Sequence, residues 1–175
     1  TTTTSTKAMA DSSNTSMGSS TTPTPAPAVT TVDIARNLED VRSRIATAVK
    51  SSSHDNDGDN NNDSVQLVAV SKTKPIEYLL DAYHQGNQRV FGENYVQELI
   101  GKAEEMKDLD GIVWHFIGPL QSNKANALVK KVVPNASKLC IETVATQKLA
   151  NKLNNAMEEL NNANDNSDDK DKDKK

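Results

Sequence analysis

The alternation of short apolar runs with helix-patterned segments constrains the fold of this chain most. Four runs have the β-branched, apolar character of buried strands: Val65 to Lys72, Arg89 to Asn94, Ile112 to Gly118 and Lys138 to Val144. Each run is followed by a segment whose apolar residues recur every three or four positions. Strands that alternate with helices over short connections predict a parallel sheet with right-handed crossovers.

The helices of this pattern have recognisable ends. A helix before the first strand begins after Asp33, which is placed to cap it, and Pro75 and Gly86 bound the helix after that strand. We expect the helix after the third strand to run from about Ser122 to Val133. The first strand, nearly all apolar, is predicted to be buried on both faces.

The fold class predicted from this pattern is α/β, with a parallel (β/α) barrel of the TIM type. No glycine-rich GxGxxG turn or GxxxxGKS loop occurs, which argues against a dinucleotide or nucleoside triphosphate site. A complete barrel needs eight strands and the sequence supplies four. We therefore predict about the first half of a barrel, preceded by one helix.

Three segments carry almost no large apolar side chains. They are predicted to be a disordered Ser/Thr/Pro-rich tail at 1–31, a low-complexity insertion at 51–64 and an Asn/Asp/Lys-rich tail at 161–175. The partial barrel then occupies residues 32–160, and without the insertion it has about 115 residues, close to the commonest size of a domain.

Charge and hydropathy exclude several classes of function. A net charge of -4 leaves no basic face for nucleic acid, and the apolar runs are too short to span a bilayer. No charged region followed by an apolar stretch would export the chain. A cytoplasmic location is therefore expected; a mitochondrial one ranks second, because the first arginine of the chain is Arg36.

Two features that suggest reactive or metal-binding groups have simpler explanations. Carboxylates surround Gly58, but a calcium loop would need a ligand at Ser53 and a closing Glu, so no metal site is assigned. The lone Cys140 lies in an apolar run and is interpreted as a small buried residue rather than a nucleophile. No catalytic residue is assigned.

Polar residues collect where the predicted strands end, which is where parallel sheets bind ligands. They are Lys72 and Lys74 after the first strand, Glu93 and Asn94 after the second, and Gln121, Ser122 and Asn123 after the third.

Lys72 is the strongest chemical candidate among them. It shares a strand face with Val68 and Val70, and Lys74 would follow if the strand continued. An apolar column and a second ammonium both favour the neutral amine, which is the form that attacks an aldehyde to give a Schiff base. The alternative is a lysine that simply extends into solvent at a strand end.

Three other polar positions also allow two interpretations. Asn94 is either a ligand-binding residue or a helix cap with Gln97 as its partner, and His115 is first a hydrogen-bonded core residue and second an active-site group. Ser122 and Asn123 either cap a helix or begin one whose free N–H groups hold an anion.

Several of these runs together resemble the pyridoxal phosphate homeostasis proteins, a family related to the N-terminal barrel domain of alanine racemase. The matching runs are LVAVSKTKP (Leu67 to Pro75), VFGENYVQE (Val90 to Glu98), WHFIGPLQSNK (Trp114 to Lys124) and the helix DIARNLEDVRSRI (Asp33 to Ile45). Apart from the insertion, they cover nearly all of residues 32–160 in the order and spacing of the family.

The resemblance implies a (β/α)₈ barrel that holds pyridoxal 5′-phosphate as an internal aldimine, a Schiff base, on Lys72, with Asn94 beside the cofactor. It implies a protein without established turnover that buffers the cofactor or delivers it to apoenzymes that depend on it. Nucleic acid and membranes are not expected partners.

The chain also departs from the family. There the cofactor's phosphate is held by a Gly/Ser loop and an Arg-Ile-Gly segment of the second half, which have no counterpart after Leu160. We therefore expect a fragment with poor cofactor affinity, whose open strand edges favour association. Two alternatives stay open: a fragment that binds no cofactor, and part of a racemase-like enzyme.

Overall fold

A computed structural model of the 175-residue chain describes residues 33–52 and 65–168. In chain order the elements are α1 (Ile34–Ser52), β1 (Ala69–Val70), α2 (Ile76–His84), β2 (Val90–Glu93), α3 (Val96–Glu105), β3 (Val113–Phe116), α4 (Ala125–Val132), a short 3₁₀ helix (Val133–Asn135), β4 (Lys138–Ile141) and α5 (Gln147–Asp168). The predicted alternation of four strands with helices is confirmed.

The four strands form one parallel sheet in the order β1-β2-β3-β4, so each strand pairs with its neighbours in sequence. One row across the sheet consists of Val70, Gly92, His115 and Cys140. Because side chains alternate along a strand, this row lies on one face and its neighbours lie on the other.

Only one face of the sheet packs against the helices that the structure describes. The buried core takes Phe91, Trp114 and Phe116 from that face, and it takes its helical residues from α2, α3 and α4. On the opposite face Val70 is 53% exposed, and His115 and Cys140 are partly buried. We call this second surface the open face.

The prediction of a first strand buried on both faces is therefore wrong. The regular strand is limited to Ala69 and Val70, and Val70 lies on the open face. Apolar composition alone does not distinguish a strand with both faces covered from one with a single covered face.

The start of α1 is as predicted, and the start of α4 is not. The N–H of Arg36 donates a hydrogen bond of 2.9 Å to Asp33 Oδ1, which is the expected cap. Helix α4 begins at Ala125 rather than Ser122, because the Lys124 N–H donates to the carbonyl of Gln121 at 2.9 Å and closes a turn first.

Two helices continue into segments that we expected to be irregular. Helix α1 reaches Ser52, and α5 reaches Asp168, beyond Leu160 where the predicted tail begins. Extending a formed helix costs little once its packed turns exist, so polar residues can continue it. The rest of the predicted tails and insertion, at 1–31, 53–64 and 169–175, lies outside the described residues.

Helix α1 packs Ile34 and Leu38 against the core and is also hydrogen-bonded to the βα units through one arginine. Arg42 donates from Nη1 to the Gly86 carbonyl at 2.6 Å and from Nη2 to Gln88 Oε1 at 2.7 Å.

None of the helices in the described ranges is long and apolar enough to cross a membrane.

Candidate functional site

Lys72 lies in a tight turn at the carboxyl end of β1. The Lys74 N–H donates to the carbonyl of Ser71 at 3.0 Å, and Thr73 has a φ of 61°, in the left-handed region. Lys72 itself is exposed. The turn ends the strand geometry, so Lys74 does not continue the column of Val68 and Val70 as it would in a longer strand.

A buried network lies directly beneath this turn, on the helix side of the sheet. Lys102 of α3 donates from Nζ to the Ser71 carbonyl at 2.7 Å, to Glu93 Oε1 at 2.7 Å and to Glu98 Oε1 at 2.8 Å. Glu98 Oε1 in turn accepts the Thr73 N–H at 2.6 Å. The residues on both sides of Lys72 are thus tied to a single ammonium group.

The charges of this network are removed from water. The side chain of Glu93 is fully buried and that of Lys102 is 7% exposed. Ser71 adds a hydrogen bond from Oγ to Glu93 Oε1 at 2.7 Å, whereas Glu93 Oε2 has no hydrogen-bond partner among the described residues. Buried charges of this kind are tolerated only when they are paired, so Lys102 and Glu93 depend on each other.

Sequence reasoning missed Lys102, although a signal was present. Lys102 follows Glu98 by four residues, and it lies between Leu99 and Ala103 on the face of α3 that is buried. A lysine within an apolar helical face indicates a buried partner, and a carboxylate that ends the preceding strand supplies one.

The surroundings of Lys72 differ from the apolar column expected for it. Since the Ser71 side chain points to the helix side, alternation directs Lys72 to the side of the open face. Val70, the preceding residue on that side, is 53% exposed, so the described residues do not desolvate the amine. The assignments of Lys72 and Asn94 as cofactor-binding residues stay predictions.

Asn94 is the first residue after β2, and it is positioned by a glycine of the next unit. A Cβ atom on Gly118 would lie 2.3 Å from the backbone oxygen of Asn94 and 2.8 Å from its Oδ1. Only glycine allows this approach. The capping interpretation of Asn94 is wrong, because Tyr95 caps α3 and makes no side-chain cap hydrogen bond.

A cavity of about 330 Å³ opens beside Asn94 at the carboxyl ends of β2 and β3. Its lining residues are Asn94, Tyr95, Val96, Gln97, Phe116, Pro119, Gln121 and Lys124. The cavity brings Asn94 and Gln121 together, as predicted for strand ends, but Ser122 and Asn123 do not line it. Nor do those two residues cap α4, which begins after Lys124.

A larger cavity, of about 530 Å³, lies elsewhere. It is lined by residues of α1, by Val65, Gln66 and Leu67 before β1, and by Asn87 to Val90 at the start of β2. These are the amino ends of the strands, opposite the end that carries Lys72. Since ligands of parallel sheets bind at the carboxyl ends, the smaller cavity is the one associated with the candidate site.

His115 and Cys140 lie on the open face rather than in the core, so the predicted core positions are wrong for both. His115 is hydrogen-bonded as expected, through Nδ1 to Glu142 Oε1 at 2.5 Å, and its side chain is 15% exposed. Cys140 is partly buried beside the same carboxylate. The helix-facing positions of these strands belong instead to Trp114 and Leu139.

Comparison with known proteins identifies relatives of one name. The pyridoxal phosphate homeostasis protein of Bos taurus is 53% identical over 94 residues, which are 52% of this chain and 33% of the relative. The Escherichia coli protein of the same name is 43% identical over 100 residues, which are 56% of this chain and 40% of that relative. That of Vibrio alginolyticus is 40% identical over 125 residues, covering 69% and 48%.

These relatives confirm the resemblance predicted from the sequence. The chain spans between one third and one half of the length of the relatives it matches. No family profile matches the chain.

Two solved structures are also similar. PipY of Synechococcus elongatus with PLP bound is 35% identical, with a TM-score of 0.48. The match covers 69% of this chain and 50% of the PipY chain. The PLP-free structure of PipY is 36% identical, with a TM-score of 0.49 and coverages of 68% and 48%.

Proposed function

We propose that this homologue of the pyridoxal phosphate homeostasis proteins contributes Lys72 and Asn94 to a pyridoxal 5′-phosphate site. The proposed role is non-catalytic: the protein holds the cofactor for vitamin B6 homeostasis in the cytoplasm and passes it to apoenzymes that depend on it. The observation that supports this most is the position of Lys72, in a turn at the carboxyl end of β1 that a buried network holds in place.

The cofactor would supply an aldehyde, which condenses with a primary amine to give a Schiff base with loss of water. Lys72 offers an exposed amine whose neighbours Ser71 and Thr73 are fixed through Lys102 and Glu98. Because the backbone on both sides is already fixed, attachment of the cofactor restricts the conformational freedom of the Lys72 side chain alone. Asn94 offers a polar amide at the end of the neighbouring strand, held by its contact with Gly118.

We further propose that the sheet is part of a (β/α) barrel. Two features support this: the four parallel strands follow one another in sequence order, and their helices pack on one face only. In a barrel the second face forms an interior filled by layers of side chains. The row of Val70, Gly92, His115 and Cys140 would be one such layer.

A second candidate is a chain that does not retain the cofactor on its own. The exposure of Lys72 and Val70 favours it, because water competes for the amine and the carbonyl when the open face is not covered. The two candidates differ in whether Lys72 reacts selectively.

Borohydride trapping of the complete 175-residue chain separates them. The chain is incubated with pyridoxal 5′-phosphate, reduced and digested, and the label on each lysine is measured by mass spectrometry. We expect Lys72 to carry most of the label, Lys72→Arg to abolish the absorbance of the bound cofactor, and Lys74→Arg to leave it unchanged. Equal labelling of Lys72, Lys74 and other exposed lysines would overturn the proposed site and support the second candidate.

A further inference from the structure

Three potential metal-ligand atoms meet on the open face, apart from the groups assigned to the cofactor. They belong to His115 of β3, Cys140 of β4 and Glu142, which follows β4, and they all lie within 4.8 Å of one another. The proposed cofactor site uses none of the three side chains.

The sheet itself brings these residues together. His115 and Cys140 are paired across neighbouring strands, and Glu142 lies two positions beyond Cys140 on the same face. The Glu142 N–H donates to the Phe116 carbonyl at 3.1 Å, which keeps this residue in the extended ladder. A ligand set carried by strands is held more rigidly than one carried by loops.

The three ligand atoms are near enough to form a tetrahedral site after side-chain movement. Cys140 Sγ lies 3.8 Å from Glu142 Oε1, and His115 Nδ1 lies 2.5 Å from the same oxygen. Bond lengths of about 2.0–2.3 Å to zinc place tetrahedral ligand atoms about 3.3–3.6 Å apart. The sulfur is thus near the required distance from the carboxylate, and it lies within 4.8 Å of the imidazole. The carboxylate, whose side chain is 46% exposed, has to move by about 1 Å from the imidazole.

We propose that His115, Cys140 and Glu142 form a binding site for a divalent transition-metal ion of the Zn²⁺ class. The ion replaces the hydrogen bond between imidazole and carboxylate and binds His115 Nδ1, Glu142 Oε1 and the Cys140 sulfur. The thiol releases its proton to solvent, and the hydrogen between His115 Nδ1 and the carboxylate leaves Nδ1, so that the neutral imidazole binds with its proton on Nε2. The thiolate and the carboxylate together then balance the charge of the ion.

The chemistry of the donors selects the ion. A thiolate and an imidazole favour Zn²⁺ and Co²⁺ over Mg²⁺ and Ca²⁺, which prefer oxygen ligands. Three protein ligands leave a fourth position for water or a small ligand, the arrangement of open zinc sites rather than closed structural ones. That position faces away from the helices, because the three side chains lie on the open face.

Cobalt titration of the complete chain tests this site, because a thiolate bound to Co²⁺ gives a charge-transfer band in the near ultraviolet. Cys140 is the single cysteine of the whole sequence, so this band has one possible source. We expect one Co²⁺ per chain, displaced by Zn²⁺, and no band in Cys140→Ser. His115→Gln and Glu142→Gln should each weaken Co²⁺ binding at least about tenfold, since loss of an outer-shell partner alone costs 10–100-fold.

His84→Gln is the matched control, since it removes an exposed imidazole from α2 and should leave cobalt affinity unchanged. The Asp-rich stretch at 53–64 contains no sulfur and cannot produce the band. Far-UV circular dichroism confirms that each variant is folded. The proposal would be overturned if the parent chain gave no band. It would also be overturned if His115→Gln and Glu142→Gln bound Co²⁺ with the affinity of the parent chain. No pyridoxal phosphate is present, so this result is independent of the test at Lys72.

Discussion

At the scale of single residues, the most consequential interaction is the buried ion pair of Lys102 and Glu93. Their contact of 2.7 Å is nearly closed to solvent and therefore little screened. Such a pair is not by itself a large source of stability, because both charges lose hydration. Loss of one partner is costly, since it leaves the other charge buried without compensation.

We expect Lys102→Met to lower the free energy of unfolding by about 3–5 kcal/mol. The variant keeps the apolar volume in α3 but leaves Glu93 without its ammonium partner, and it removes one of the two hydrogen bonds that the Ser71 carbonyl accepts. Urea unfolding followed by circular dichroism measures the change.

Lys107→Met is the matched control. Lys107, in the turn that follows α3, pairs with Glu104 of α3, but the two side chains are 46% and 59% exposed. Exposed pairs contribute little, so the control should change stability much less than Lys102→Met does. Equal effects of the two substitutions would show that the Lys102 network does not act as a buried pair.

How far the sequence predicts such residues depends on where their partners lie. The positions of Lys72 and Asn94 at strand ends were predicted correctly, because strand ends are visible in the local pattern, whereas their role in cofactor binding stays a prediction. Lys102 was missed although Glu93 and Glu98 belong to its own βα unit, because the charge pattern does not show which pairs are buried. Gly118 was missed because its partner Asn94 is contributed by another βα unit. Glu142 was missed for the same reason: its partner His115 lies 27 residues earlier, and only the register between β3 and β4 brings them together.

At the scale of elements, the number, type and order of helices and strands followed from apolar periodicity. Their ends were less predictable. The turn that delays α4 to Ala125 depends on one backbone hydrogen bond, and α5 extends past Leu160 through residues that are poor helix formers. The periodicity of apolar residues indicates which face of an element is buried. It therefore says little about where an element ends once that element has left the core.

The packing of α4 against α5 includes an ion pair that responds to pH. Lys130 Nζ lies 2.6 Å from Glu159 Oε2, and Asn126 donates to the same oxygen at 3.2 Å. The hydrogen bond from Lys130, followed by that from Asn126 and by the attraction of the Lys130 charge, lowers the pKa of Glu159.

We expect this pair to stabilise the fold at neutral pH and to lose its effect in acid. Because the folded pKa of Glu159 is below the unfolded one, the contribution is complete above the unfolded pKa and is lost as pH falls through the folded pKa. The stability difference between the parent chain and Glu159→Gln should therefore shrink on acidification. Denaturant unfolding across a pH series measures it.

Glu158→Gln is the control for that series, since it removes a carboxylate from α5 without touching Lys130. A stability difference for Glu159→Gln that stays constant with pH would contradict the assigned role of the pair. So would an equal pH response in Glu158→Gln.

At the scale of the whole described domain, the sheet has one face in the core and one exposed, and the outer strands β1 and β4 each pair on one side only. Exposed apolar surface and unpaired strand edges both promote contact between chains. We expect association that increases with protein concentration, measured by sedimentation velocity.

Val70→Lys should reduce this association, because it places a charge on the open face next to the edge of β1. Val144→Lys is the matched control: Val144 is 46% exposed but lies beyond the end of β4. A chain that is monomeric at all concentrations would contradict the expectation, as would equal effects of the two lysines.

The strictly sequential order of the strands has a consequence for biosynthesis. Because β2 pairs with β1, β3 with β2 and β4 with β3, each of the strands after β1 meets a partner that has already left the ribosome. Among the described strands, β1 alone has to wait for a later strand, and that strand is the next one in the chain. Loop closures therefore stay short, and the time that nascent edges are unprotected is limited. The domain can therefore assemble from its amino end while translation is still in progress.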